Sequence, residues 1–278
     1  MRSIARALIV CGFAATASSA QTGATSSPSA VLISGSDFAW LGVATAATMA
    51  ATRFDIRIAR AFADSGFHLR HPGFTTAAKR TSLVTETVLM ITSSSTWAVA
   101  RLAHDRATAD VAFHTFEGIA AGASFIQVVR GALGRARPYV IDEVGERRDA
   151  DPYEFQLFHG FTSFNYRSFP SMHAMASLAA ASALAQEMRI THAPARAEIG
   201  PLLYTAAAMP SLARMYLDEH WTSDIVMGAF LGVFAGQKAV LYSHAHPDNR
   251  IDRKFLPPQV RAAVVRDARG LRFVLAPF

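Results

Sequence analysis

Three features predict an all-α fold for this 278-residue chain, a compact helical bundle of about six core helices. Strand-type alternation is scarce beyond the N-terminal linker. Apolar residues recur with helical spacing around 38–52, 83–103, 111–134, 172–188, 199–217 and 223–243. Several of these stretches are rich in Ala and Ser, which suits close helix packing. The composition is 51% hydrophobic, enough to bury one sizeable core. The length fits one helical domain with tails.

The N-terminus reads as a leader. Arg2 and Arg6 give a positive start, residues 7–15 a short apolar run, and Ser18-Ser19-Ala20 the small residues that a signal peptidase reads. The expected division is a signal peptide over 1–20, a Ser/Thr/Gly-rich linker over 21–35, the helical domain over 36–245 and a tail over 246–278. The alternative for the first segment is an uncleaved anchor. Cys11 is the only cysteine and lies inside the leader, so disulfides, cysteine hydrolases and cysteine-ligated zinc are excluded from the mature chain. Net charge is +6, falling to about +4 without Arg2 and Arg6. That mild bias favours anionic ligands, and without a recognisable reading motif it does not indicate nucleic acid.

The uncharged runs 87–100, 199–213 and 225–237 are shorter than the roughly 20 apolar residues of a membrane span. The expectation is an exported, periplasmic protein, soluble or peripheral, with an integral inner-membrane protein as the alternative. Pro138 must end or kink the third helix. Residues 139–169 are polar, charged and aromatic without clear period. A connection that long is usually functional or disordered, and Phe158, Phe161, Phe164 and Tyr166 are candidates to meet a lipid or aromatic group. His68 and His71 read as loop residues.

Three clusters carry chemistry. In the first, Arg130, Arg135 and Arg137-Pro138 close a helix, with Arg130 and Arg137 about two turns apart on one face. Guanidinium is permanently charged and forks onto phosphate oxygens. The same run also fits a solvated basic helix end. In the second, Pro170-Ser171-Met172-His173 opens a helix, where backbone N–H groups attract anions, and His173 is placed to give a proton to a leaving group. A capped helix with an incidental histidine fits equally well. In the third, Arg214 precedes His220 and Asp224, which stand four apart as neighbours on a helical face would. A carboxylate on one imidazole nitrogen fixes the tautomer and leaves the other nitrogen as nucleophile or base. An ordinary surface pair is the alternative. His244-Ala-His246-Pro-Asp248 looks like a metal box but lies beside a Pro-rich tail, and no metal is expected at the site.

Taken together, the clusters resemble the type 2 phosphatidic acid phosphatase superfamily, which includes class A bacterial acid phosphatases and vanadium haloperoxidases. The family pattern is Lys-x6-Arg-Pro, then Pro-Ser-Gly-His, then Ser-Arg-x5-His-x3-Asp. Here Arg137-Pro138, Pro170-Ser171, His173, Arg214, His220 and Asp224 stand at matching places. Three positions depart: Arg130 replaces the lysine, Met172 the glycine and Ala213 the serine. Met172 keeps a backbone donor, and its side chain is expected to narrow the pocket or tilt it toward apolar substrates.

The resemblance implies a phosphomonoester hydrolase, on lipid or soluble substrates, without metal. It makes His220 the nucleophile, Asp224 its partner and His173 the acid. Arg130, Arg137, Arg214, Ser171 and the Met172 amide would hold phosphate, with Arg135 behind them. Two other classes compete: a haloperoxidase using vanadate on His220, and a phosphate-binding relative without turnover. The expected partners are a phosphate-ester substrate, lipid or not, a membrane surface, and a second copy of the chain.

Overall fold

A computed structural model describes residues 33–63, 65–142, 144–256, 260–267 and 270–277. The proposed leader and most of the linker lie outside them. In chain order the helices are α1 (Gly35–Thr52), α2 (Asp55–Phe62), α3 (Ser65–Arg70), α4 (Pro72–Thr81), α5 (Glu86–Leu102), α6 (Arg106–Leu133), α7 (Met172–Ile190), α8 (Arg196–Tyr216), α9 (Thr222–Ala245) and α10 (Arg250–Phe255). The six expected helices are α1 and α5 to α9, and the chain is all-α in its core. Two small antiparallel hairpins accompany it, β1–β2 (Tyr139–Ile141 with Arg147–Asp149) and β3–β4 (Val260–Asp267 with Gly270–Pro277).

Local chemistry sets the helix ends. Asp105 caps α6 by accepting the Thr108 N–H at 3.1 Å, and Thr85 caps α5 through the Val88 N–H at 3.2 Å. α6 stops before the expected end. Gly134 takes φ +59°, and a Cβ there would lie 1.8 Å from the Gln156 carbonyl oxygen. Only glycine closes the helix at this point, so Arg135 and Arg137 leave the helix and do not share its face with Arg130. The segment 55–81, read in part as loop, forms three short helices. His68 lies in α3, stacked on Tyr216 with ring centroids 4.3 Å apart, and His71 precedes α4. Within 139–169 the described residues include β1–β2 and two 3-10 turns, His159–Phe161 and Phe164–Tyr166.

α7 and α9 form the central pair. They run parallel: Cβ atoms added at Gly228, Gly232 and Gly236 would fall 2.5, 2.3 and 2.2 Å from the carbonyls of Ser171, Met175 and Ala179. This one-turn repeat lets the two backbones touch. The pair closes at its start with the Ser171 N–H donating to the Asp224 carbonyl at 3.1 Å. α6 packs antiparallel across both, Gly118 against Gly236 and Gly122 against Met175. α1 lies outside α9, with Trp40 on Phe230 and Lys238 ion-paired to Asp37 at 2.7 Å. The N-termini of α7 and α9 and the C-termini of α6 and α8 therefore meet at one end of the bundle.

The outer faces are apolar in places: Phe38, Leu41, Val43 and Met49 on α1, and Val88, Ile91, Val99 and Leu102 on α5, are all exposed. α9 is longer than its uncharged run suggested. It is apolar and long enough to cross a membrane, but half of its most apolar stretch is buried within the bundle, as a core helix would be.

Candidate active site

His220 lies in the loop between α8 and α9 and is 4% exposed. The sequence spacing suggested a shared helical face with Asp224, and the structure corrects this. α9 begins only at Thr222, so Asp224 is in its first turn while His220 precedes it. The pair meets because the loop folds back: Asp224 accepts the Trp221 N–H at 2.8 Å and the Ser168 hydroxyl. Its Oδ2 stands 3.5 Å from His220 Nδ1, a long contact, and His220 Nδ1 has no closer acceptor among the described residues. The carboxylate on this side fixes the proton on Nδ1 and leaves Nε2 with its lone pair.

Behind Asp224 sits Arg135, 3% exposed. Its guanidinium donates to Asp224 at 2.6 Å, to Asp55 of α2 at 2.9 Å, to the Ser223 hydroxyl at 2.7 Å and to the Pro152 carbonyl at 2.8 Å. Asp55 in turn accepts the Ser223 N–H at 2.9 Å. One cation thus serves two buried carboxylates and is spent on them, so Arg135 positions Asp224 and does not face a ligand. Burial alone would raise Asp224, but Arg135 and His220 beside it hold it below the usual carboxylate range. Asp55 is raised, chiefly by burial.

Arg137 donates to the Glu219 carboxylate at 2.5 Å and to the Glu219 and Phe164 carbonyls at 2.9 and 3.0 Å. The Phe164 ring lies 3.9 Å from its guanidinium carbon. Burial pulls Arg137 down to about 10, so it stays charged at neutral pH. Arg214, from the end of α8, reaches the same Glu219 carboxylate at 3.0 Å, and its buried Nε has no acceptor among the described residues. Arg130, in the last turn of α6, donates to Gln127 at 2.9 Å and has no carboxylate within 4.0 Å among the described residues.

His173 stands in the first turn of α7, with Nε2 3.1 Å from the Ser82 carbonyl. A carbonyl only accepts, so Nε2 carries a proton and Nδ1 is the atom that titrates. Burial lowers His173 to about 4, with the positive charges of Arg214, Arg137 and Arg130 adding to the effect. His220 is lowered to about 3, first by burial and then by Arg137 and Arg214 against the pull of Asp224. Both imidazoles are neutral at pH 7 in the free site.

Ser171 caps α7, and the N–H groups of Met172 and His173 lie in a first turn, where the helix offers no acceptor. The Met172 side chain contradicts expectation: it is 4% exposed and packs with Ile119, Ile126 and Met175 in the core, not in a pocket. The His244–His246 box is not formed. His244 bonds Glu187 at 3.0 Å, while His246 stacks on Tyr242. Sequence reading missed Asp55, Ser168, Ser223 and Glu219. Glu219 alone carried a signal, as an acid beside His220.

The first turn of α7 and the guanidiniums of Arg137 and Arg214 gather near a carboxylate-backed, neutral histidine, and Arg130 lies near His173; first-turn amides and guanidiniums are the donors that a tetrahedral oxyanion requires. Residues 112–248 match the family model described as PAP2 superfamily. The relation supports phosphatase activity on phosphate esters. Among solved structures, one described as the first transmembrane PAP2 type phosphatidylglycerolphosphate phosphatase from Bacillus subtilis aligns at 16% identity, with a TM-score of 0.30, over 73% of this chain and 98% of its own. Comparison with curated proteins finds no match.

Proposed function

We propose that the chain is an exported, metal-independent phosphatase that hydrolyses phosphomonoesters through a phosphohistidine on His220. The observation that carries this reading is the buried, neutral imidazole with Asp224 on its Nδ1 side, set among Arg137 and Arg214. The Nε2 lone pair forms the N–P bond as the P–O bond to the leaving group breaks. Asp224 stabilises the positive charge that arises on the ring, and the 3.5 Å contact shortens as it does. His173 gives its Nδ1 proton to the leaving oxygen, then takes one from the water that cleaves the N–P bond. Arg130, Arg137, Arg214 and the first-turn amides of α7 hold the equatorial oxygens, where transition-state charge collects.

Two further expectations attach to this reading. Glu219 occupies both Arg137 and Arg214, so an incoming phosphate must displace its carboxylate. Glu219→Gln keeps the shape and removes the competing charge. KM should fall about tenfold, or ~1.4 kcal/mol, with kcat nearly unchanged. A raised KM would make Glu219 an organiser of the arginines instead.

The second concerns pH. His220 must be neutral to attack, which holds above about 3. His173 must carry its acid proton, which in the free site is lost above about 4. Log kcat/KM should therefore decline as pH rises through 5 to 7. The basic limb of kcat should lie at higher pH, because bound phosphate offsets the guanidinium charges around His173. His173→Ala should lose about 10²–10⁴ in rate together with that limb.

The exposed rings of Phe158, Phe161 and Phe164, the last against Arg137, support an apolar leaving group. The exposed apolar faces of α1 and α5 support contact with a membrane surface. The test of function is phosphate release in excess EDTA, comparing an aryl phosphate with dispersed phosphatidic acid. Turnover on one or both is expected, and the preferred substrate answers the lipid question. A folded chain that releases phosphate from neither contradicts the reading.

A further inference from the structure

At the opposite end of the bundle, acidic and histidine side chains gather where α6, α7, α9 and α10 meet. His114 of α6 is 4% exposed. Its Nδ1 lies 2.6 Å from Glu187 Oε1 of α7, and the other Glu187 oxygen lies 3.0 Å from His244 Nε2 of α9. The remaining nitrogen, His114 Nε2, faces Asp252 of α10 at 3.8 Å, too far for a hydrogen bond. That nitrogen and Asp252 Oδ1 are both buried and without a hydrogen-bond partner among the described residues. Glu117, three positions along α6, brings a third group: ligand atoms of His114, Glu117 and Asp252 all lie within 4.8 Å of one another.

The acidic character alone would mean little, but the imidazole gives the cluster a direction. A metal-bound histidine characteristically donates its second N–H to a carboxylate, which fixes the tautomer and raises its basicity. Glu187 does this to His114, so it is Nε2 that faces the gap between Glu117 and Asp252 and offers a lone pair there once its proton leaves. One imidazole nitrogen with two carboxylate oxygens suits a first-row divalent cation such as zinc or manganese. Magnesium and calcium prefer oxygen alone. Small rotamer changes would bring the three donors to the roughly 2.0–2.2 Å that zinc requires.

We propose that His114, Glu117 and Asp252 bind one divalent transition-metal ion, which fastens α10 to the helical bundle. α10 is already seated for this. Asn249 caps it through the Ile251 and Asp252 N–H groups, both at 2.9 Å. Trp97 donates to the Phe255 carbonyl at 3.1 Å, and Leu256 packs on Ala100, Ala109 and Phe113. The competing occupant is a proton: burial opposes it, but Asp252 and Glu187 hold the imidazole up at about 9. Met172 and Glu187 lie fifteen residues apart on α7, about 22 Å at the helical rise. This site therefore stands apart from phosphoryl transfer, and either reading can fail without the other.

The test strips the full chain with chelator and titrates it calorimetrically with Zn2+, with Mn2+ in parallel and Mg2+ as control. One Zn2+ per chain at micromolar or tighter affinity is expected, with a visible absorption band when Co2+ is used instead. His114→Gln and Asp252→Asn should each weaken zinc binding at least about 100-fold, and Glu187→Gln about 10–100-fold. Zinc should raise the melting temperature of the wild type and leave that of Asp252→Asn unchanged, while aryl phosphate turnover by Asp252→Asn persists. Should His114→Gln fail to fold, Asp252→Asn and the Co2+ spectrum still decide. No stoichiometric binding at millimolar zinc would show that the gap takes no metal. Undiminished binding by Asp252→Asn would place the metal elsewhere. Either result overturns the proposal.

Discussion

Replacing His220 by alanine is expected to lower kcat/KM by about 10⁴-fold or more, which corresponds to ~5.5 kcal/mol of lost transition-state stabilisation. The protein should stay folded, because His220 lies in a loop and its Nδ1 holds only the 3.5 Å contact with Asp224. Phosphate should still bind the variant, since Arg137, Arg214 and the first turn of α7 are untouched. Loss of turnover with retained phosphate binding separates a nucleophile from a scaffold residue. Initial rates and calorimetric phosphate titration of the same preparation provide the check. A loss of only tenfold would remove His220 from the bond-making step.

The second large effect falls on stability. Arg135→Met should cost about 3–5 kcal/mol, because it leaves Asp55 and Asp224 buried together without a cation. Methionine fills much of the space among Phe155, Phe169 and Trp221, so the loss would reflect charge more than volume. Denaturant unfolding measures it. Adding Asp55→Asn should restore part of the loss, since one buried charge is then removed. Activity should not return with stability, because Asp224 would still lack the donor that holds it in place behind His220. A single variant within about 1 kcal/mol of wild type would show that water or rearrangement compensates the carboxylates.

Much of this was legible in the sequence, for identifiable reasons. The six core helices are long and periodic, so their pattern survives without tertiary information. Helices α2 to α4 are 6 to 10 residues each, too short for a period to emerge, and histidines in them read as loop. The resemblance to the family pattern implied the company of Arg137, His173, Arg214, His220 and Asp224, but not their geometry. A four-residue interval looks the same whether a helix runs through it or begins inside it, and α9 begins inside it. The interval from Arg130 to Arg137 likewise conceals the stop at Gly134, where the contact with the Gln156 carbonyl is made by chain more than twenty residues away.

Partners distant in sequence were invisible. Asp55 reaches Arg135 across 80 positions and belongs to no motif. His114 and Asp252 flank the gap at the far end from helices with no shared pattern. Met172 shows the reverse problem. Its place in the motif suggested the pocket, while the direction of its side chain is set by packing against Ile119 and Met175. Glu219 stood in plain view between Asp218 and His220, but only the folded loop brings it between two guanidiniums.

The central claim is a covalent bond between phosphorus and His220 Nε2. Rapid acid-free quenching of the wild-type chain during turnover of an aryl phosphate, followed by intact-mass and peptide analysis under alkaline conditions, tests it most directly. The account predicts a transient gain of one phosphoryl group, stable in alkali, labile in acid and located on His220. Steady turnover with no such adduct on the millisecond to second scale, or an adduct on another residue, would contradict it.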